Sequence, residues 1–64
     1  MRLTEFWQRM DDHLGAGYAA SFAADHVITD LEGMTVEQAL ASGVETKVVW
    51  RAVWATLGLP ASAR

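Results

Sequence analysis

Thr46-Lys47-Val48-Val49-Trp50-Arg51-Ala52-Val53-Trp54-Ala55-Thr56-Leu57, closed by Gly58, is the last long apolar run of the chain and holds two of its three tryptophans. At about 100° per residue, Val49, Trp50, Val53 and Leu57 fall on one continuous stripe, with Trp54 at its edge beside Lys47 and Arg51. The β-branched residues Val48, Val49 and Val53 sit inside this periodicity, so the run predicts a helix over 46–57 rather than a strand. Its stop is explicit: Gly58 can take a left-handed cap, Leu59 can fold back onto Trp54 or Val53, and Pro60 forbids continuation. Residues 61–64 read as a frayed tail.

Working back from this run, Thr35-Val36-Glu37-Gln38 is a capping box with Met34 in the staple position. It predicts a short helix over 36–42 that turns Val36, Ala39 and Leu40 inward and ends at Ser42-Gly43. Val44 leads to Glu45, whose carboxylate can sit at the positive end of the next helix. A longer segment over 17–32 is alanine-rich. Ala20, Ala24, Val27, Ile28 and Leu31 form one stripe, and Tyr18 and Phe22 point to a second side. A helix apolar on two sides is packed on two sides, so this one is expected at the centre, its alanines allowing close approach. The first segment, 4–14, starts at Thr4 as N-cap with Glu5 in its first turn and carries Leu3, Trp7, Met10 and Leu14 inward, with Phe6 widening the stripe. Gly15 and Gly17 break it and reverse the chain.

The expected architecture is therefore all-α: a small compact bundle of about four helices, forming one domain over 1–60, with the last two in a helix-turn-helix-like arrangement. Its expected core is Leu3, Trp7, Met10, Leu14, Phe22, Val27, Ile28, Leu31, Leu40, Val49, Trp50, Val53 and Leu57. With 64 residues and no cysteine, stability has to come from that core or from a partner, since neither a disulfide framework nor a thiolate metal site can form. Absence of cysteine fits a reducing cytoplasm. Met1 to Trp7 is charged and amphipathic rather than a leader, and no apolar run approaches the roughly 20 residues that span a bilayer. A cytoplasmic protein without membrane contact is expected. All eight acids lie between Glu5 and Glu45 with only Arg2 and Arg9 to offset them, whereas the chain from Thr46 onward has no acid and three bases, Lys47, Arg51 and Arg64. That basic end can lie against the acidic helices of its own fold or form a small recognition face.

Taken together, Arg2-Leu3-Thr4-Glu5-Phe6-Trp7, Asp25-His26-Val27, Thr35-Val36-Glu37-Gln38-Ala39-Leu40, Gly43-Val44 and Val49-Trp50-Arg51-Ala52 resemble, in this order and over nearly the whole chain, a family of short actinobacterial proteins classed as a domain of unknown function. Members often place aspartate and proline where this chain has Glu45-Thr46, so the acidic cap is kept and the proline is lost. The resemblance transfers no catalytic or binding residue. Genes of such proteins tend to lie near those for the general recombinase and its regulator, an association with recombination or repair rather than a mechanism.

The residues offer little for catalysis. His13 follows Asp11 and Asp12 near a helix end and reads as structural; His26 adjoins Asp25, but consecutive helix residues point about 100° apart and make no dyad, so a hydrogen-bonded structural role is expected. No His-x-x-x-His or Glu-x-x-His pair exists, so neither a metal nor another cofactor, small-molecule substrate or enzymatic activity is expected. Two binding readings remain. Trp54 beside Lys47 and Arg51 has the aromatic-plus-arginine composition of protein interfaces, and Val48 and Ala55 add apolar surface; a protein partner or self-association is the first reading. Alternatively 35–53 follows helix-turn-helix grammar, in which Lys47, Trp50 and Arg51 would face a DNA duplex. The candidate interaction face is Lys47, Trp50, Arg51 and Trp54. Trp50 separates the readings, being interior in the first and exposed in the second.

Overall fold

A computed structural model describes residues 1–63, so Arg64 and its charge lie outside the described residues. Four helices follow in order: α1 (Leu3–Leu14), α2 (Ala16–Asp25), α3 (Val36–Ala41) and α4 (Thr46–Leu57), with 3-10 turns at Thr29–Leu31 and Ala61–Ala63. The all-α bundle is as expected. α2 packs against α1 and α3, while α4 packs against α1, α3 and the Thr29–Leu31 turn.

α1 begins two residues earlier in capping terms than its sequence suggests. Arg2, not Thr4, is the N-cap, and no side chain caps it. Instead the Thr46 hydroxyl donates to the Met1 carbonyl at 2.6 Å, tying the start of α1 to the start of α4. The inward stripe is also rotated. Phe6 and Met10 are fully buried, Trp7 and Leu14 pack from the flanks, and Leu3, expected in the core, is 51% exposed. A stripe centred on Phe6 and Met10, four apart, leaves position 3 at its margin.

A single residue joins α1 to α2. Gly15 has φ 86 and ψ 142, a region open to glycine alone; its N–H donates to the Asp11 carbonyl at 2.8 Å and its carbonyl accepts from the Ala19 N–H at 2.8 Å. Gly17 is already helical. α2 buries Ala19, Phe22 and Ala23, whereas Ala20 and Ala24, assigned to the stripe from sequence, face out.

The largest correction concerns the end of α2. The helix stops at Asp25 rather than reaching residue 32, because Val27-Ile28-Thr29 is a β-branched run and the backbone turns extended at His26 (φ −85, ψ 115) and Ile28 (φ −112, ψ 119). Ile28 pairs with Met34 in an isolated antiparallel bridge, its N–H donating to the Met34 carbonyl at 3.0 Å. The intervening loop closes through Glu32 at φ 58 and Gly33 at φ 80, both left-handed. This loop buries Ile28 and Leu31 and throws Val27, expected in the core, out to 59% exposure.

α3 is capped as its sequence demands. The Thr35 hydroxyl accepts from the Gln38 N–H at 3.1 Å and the Gln38 side chain accepts from the Thr35 N–H at 3.0 Å, with Thr35 itself buried. Gly43 at φ 91 ends the helix in a Schellman pattern, Gly43 N–H to Leu40 and Val44 N–H to Ala39. α4 ends the same way, with Gly58 at φ 67 and the Leu59 N–H on the Trp54 carbonyl at 3.1 Å. α4 buries Val49, Trp50, Ala52 and Val53; Leu40 and Leu57 are partly buried against the same core.

Residues 61–63, expected as a loose tail, form a 3-10 turn instead. The physical reason is in the two tryptophans of α4: Trp54 Nε1–H donates to the Pro60 carbonyl at 2.8 Å and Trp50 Nε1–H to the Ala63 carbonyl at 3.0 Å. A buried indole N–H needs an acceptor, and the returning chain supplies it.

Candidate functional site

Trp50 is 1% exposed and forms the inner wall between α1 and α4. Phe6 meets it edge-on with ring centroids 6.3 Å apart, His13 lies 5.8 Å away, and the Arg9 guanidinium sits 5.8 Å from its ring centroid. That distance is within the range of a cation–π contact. Arg9 also reaches Glu5, one turn before it, at 3.5 Å. Arg9 thus bridges a carboxylate and an aromatic face.

Above this floor lies a cleft of about 350 Å³ lined by Met1, Glu5, Arg9, Lys47, Trp50 and Arg51. The structure therefore brings three of the four proposed face residues, Lys47, Trp50 and Arg51, to one site. Trp54 does not line it; it is half-buried and turned toward Pro60. Met1, Glu5 and Arg9 are additions that sequence reasoning missed, and the only local signal for them was the four-residue spacing of Glu5 and Arg9.

The two cations of α4 are unlike Arg9. Both are exposed, and among the described residues neither makes a hydrogen bond, an ion pair or a ring contact. Lys47 is the second residue of α4, where a cation opposes the helix dipole, and the first turn contains no acid to offset it. Glu45 is the N-cap, but its carboxylate makes no capping hydrogen bond. The basic end does lie against α1, with Glu5 in the same cleft, but among the described residues neither Lys47 nor Arg51 forms an ion pair with an acid.

Two smaller hollows, each of about 200 Å³, lie elsewhere. One follows the aromatic ladder of α2, where Tyr18 and Phe22 are 6.3 Å apart and His26 stacks on Phe22 at 4.7 Å and 13°. His26, expected to be held by a hydrogen bond, is therefore held by ring stacking on an exposed helix end. The other runs along Leu31, Met34, Val44 and Val48 between Asp30 and Glu32. No group of three His, Cys, Asp or Glu residues converges among the described residues, and none of their helices is long and apolar enough to cross a membrane.

No curated protein and no solved structure matches the chain. A family model, described as protein of unknown function DUF3046, matches residues 1–62. The match runs through every element of the bundle, both sides of the cleft included. The chain thus belongs to the DUF3046 family of proteins of unknown function.

Proposed function

We propose that the protein is a non-enzymatic interaction or regulatory module that binds a protein partner in the cytoplasm through the α4 face around Lys47 and Arg51, with Trp54 at its edge. The observation that carries this reading is the pair of exposed cations beside a preformed cleft, neither engaged within the described fold. Arginine next to aromatic surface is the composition that anchors interfaces. Placement in the cytoplasm rests on the lack of cysteine.

The alternative is a helix-turn-helix-like DNA contact through Lys47, Trp50 and Arg51. Against it stands the position of Trp50, which is buried, packs on Phe6 and donates its indole N–H to the Ala63 carbonyl. Two free cations would also give only a shallow salt dependence, a slope of about −2 in log affinity against log salt.

Capture from native cytosol tests the reading when the intact protein is run beside Arg51→Ala. A stoichiometric protein retained by the first and lost by the second is the expected result. Loss of nothing between the two, or recovery of nucleic acid in place of protein, would remove this face from the account.

A further inference from the structure

Resting on the interaction reading above, we propose that the cleft between α1 and α4 takes carboxylate side chains of an acidic peptide segment of the partner. Lys47 and Arg51 lie one turn apart on α4, which places their Cβ atoms about 5–6 Å apart. A guanidinium offers a planar fork to a carboxylate and an ammonium offers a point charge beside it, so the pair matches two neighbouring acids or the two oxygens of one. Lys47 is held against the dipole of its own helix and, among the described residues, without an internal partner. A cation retained at an intrinsically unfavourable position is the kind of local conflict that functional sites carry.

The opposite wall decides between an acidic peptide and a polyphosphate. Glu5 lines the same cleft and pairs there with Arg9 at 3.5 Å, so the site is basic on α4 while α1 adds both a cation and an acceptor with oxygen lone pairs to spare. A peptide satisfies both walls, its carboxylates meeting Lys47 and Arg51 and its backbone N–H groups meeting Glu5. Duplex DNA carries one charge about every 1.7 Å along its axis and offers no comparable donor along its phosphates, so it would press negative charge against Glu5. The Trp50 ring, buried beneath Arg9, is unavailable for stacking on a base. At about 350 Å³ the cleft is near the low end of ligand sites, which run from about 300 to 1,000 Å³, and suits a short segment.

The test uses a fluorescently labelled decapeptide of alternating glutamate and alanine, titrated with the full protein at low salt and followed by anisotropy. Saturable binding is expected, weakening with added salt and falling roughly tenfold or more in Lys47→Ala/Arg51→Ala, whose folding is checked by circular dichroism. Arg2→Ala, an exposed base outside the cleft, should bind as the parent does. Absence of saturable binding, equal binding by the double variant, or stronger competition by a 20-base-pair duplex than by unlabelled peptide would each overturn the proposal. A cytosolic partner that is captured through Arg51 yet is not displaced by the peptide would overturn it while leaving the interaction reading intact; capture of no partner would remove both.

Discussion

Gly15 is a residue at which the chain has little freedom to change. Its φ of 86 with ψ of 142 excludes other residues by backbone sterics, while a Cβ built there would meet nothing within 4 Å. Gly15→Ala should therefore cost about 1–3 kcal/mol, all of it backbone strain, read as a lower denaturant midpoint at unchanged slope. A loss below about 0.5 kcal/mol, the level of an ordinary surface change, would mean that α1 and α2 are joined differently. Val53 and Val27 form a second pair of probes. Both read as core from their spacing, but Val53 is 0% exposed and Val27 is 59% exposed. Val53→Ala should cost about 2–3 kcal/mol through lost methyl burial and a residual cavity, and Val27→Ala no more than about 0.5 kcal/mol. Equal losses would show that the loop after α2 does not turn Val27 outward. Spacing puts Leu3 in the stripe of α1 and Phe6 at its margin, yet Phe6 is the buried one. Hydrophobic spacing identifies a face to within about one residue step, and the step is settled by which neighbour the face meets.

At the scale of elements, what was legible followed local chemistry. α3 and α4 lie where their caps put them, since a capping box, Gly43 and Gly58 act on the backbone groups next to them. Thr35→Ala removes one half of that box and should destabilise the protein by about 1 kcal/mol; no change in the unfolding midpoint would mean that the box is decorative. The end of α2 was not legible from its apolar stripe, because Ile28 and Leu31 fit a helical period although a bridge and a 3-10 turn deliver them to the core. The β-branched run Val27-Ile28-Thr29 is the local signal that the helix ends there. The last turn was missed for a different reason. Its acceptor role is toward Trp50, thirteen residues earlier, and nothing local in Ala61-Ser62-Ala63 encodes it. A chain shortened to end at Ala61 should lose about 1–3 kcal/mol, the cost of leaving the buried Trp50 N–H without its partner. Unaltered stability would show that water replaces the Ala63 carbonyl.

The molecule as a whole makes a cleft that no segment contains. Met1, Glu5 and Arg9 come from one end of the sequence and Lys47, Trp50 and Arg51 from the other, and the Thr46 hydroxyl on the Met1 carbonyl is where the two are fastened. From sequence only the α4 half of the cleft was visible, because helical spacing relates residues within an element and carries no information about which element lies opposite. The central claim is that α4 turns Trp50 into the bundle and Lys47 and Arg51 out of it, since the ranking of a protein partner over DNA rests on that rotation. Hydrogen exchange of the three indole N–H groups, resolved by NMR, tests it most directly. Trp50, 1% exposed and donating to Ala63, should exchange slowest, near the rate of global opening, with Trp54 faster and the half-buried Trp7 faster than Trp50. A Trp50 indole proton exchanging as fast as those of Trp7 and Trp54 would contradict the account and move the helix-turn-helix reading ahead of the protein-partner reading.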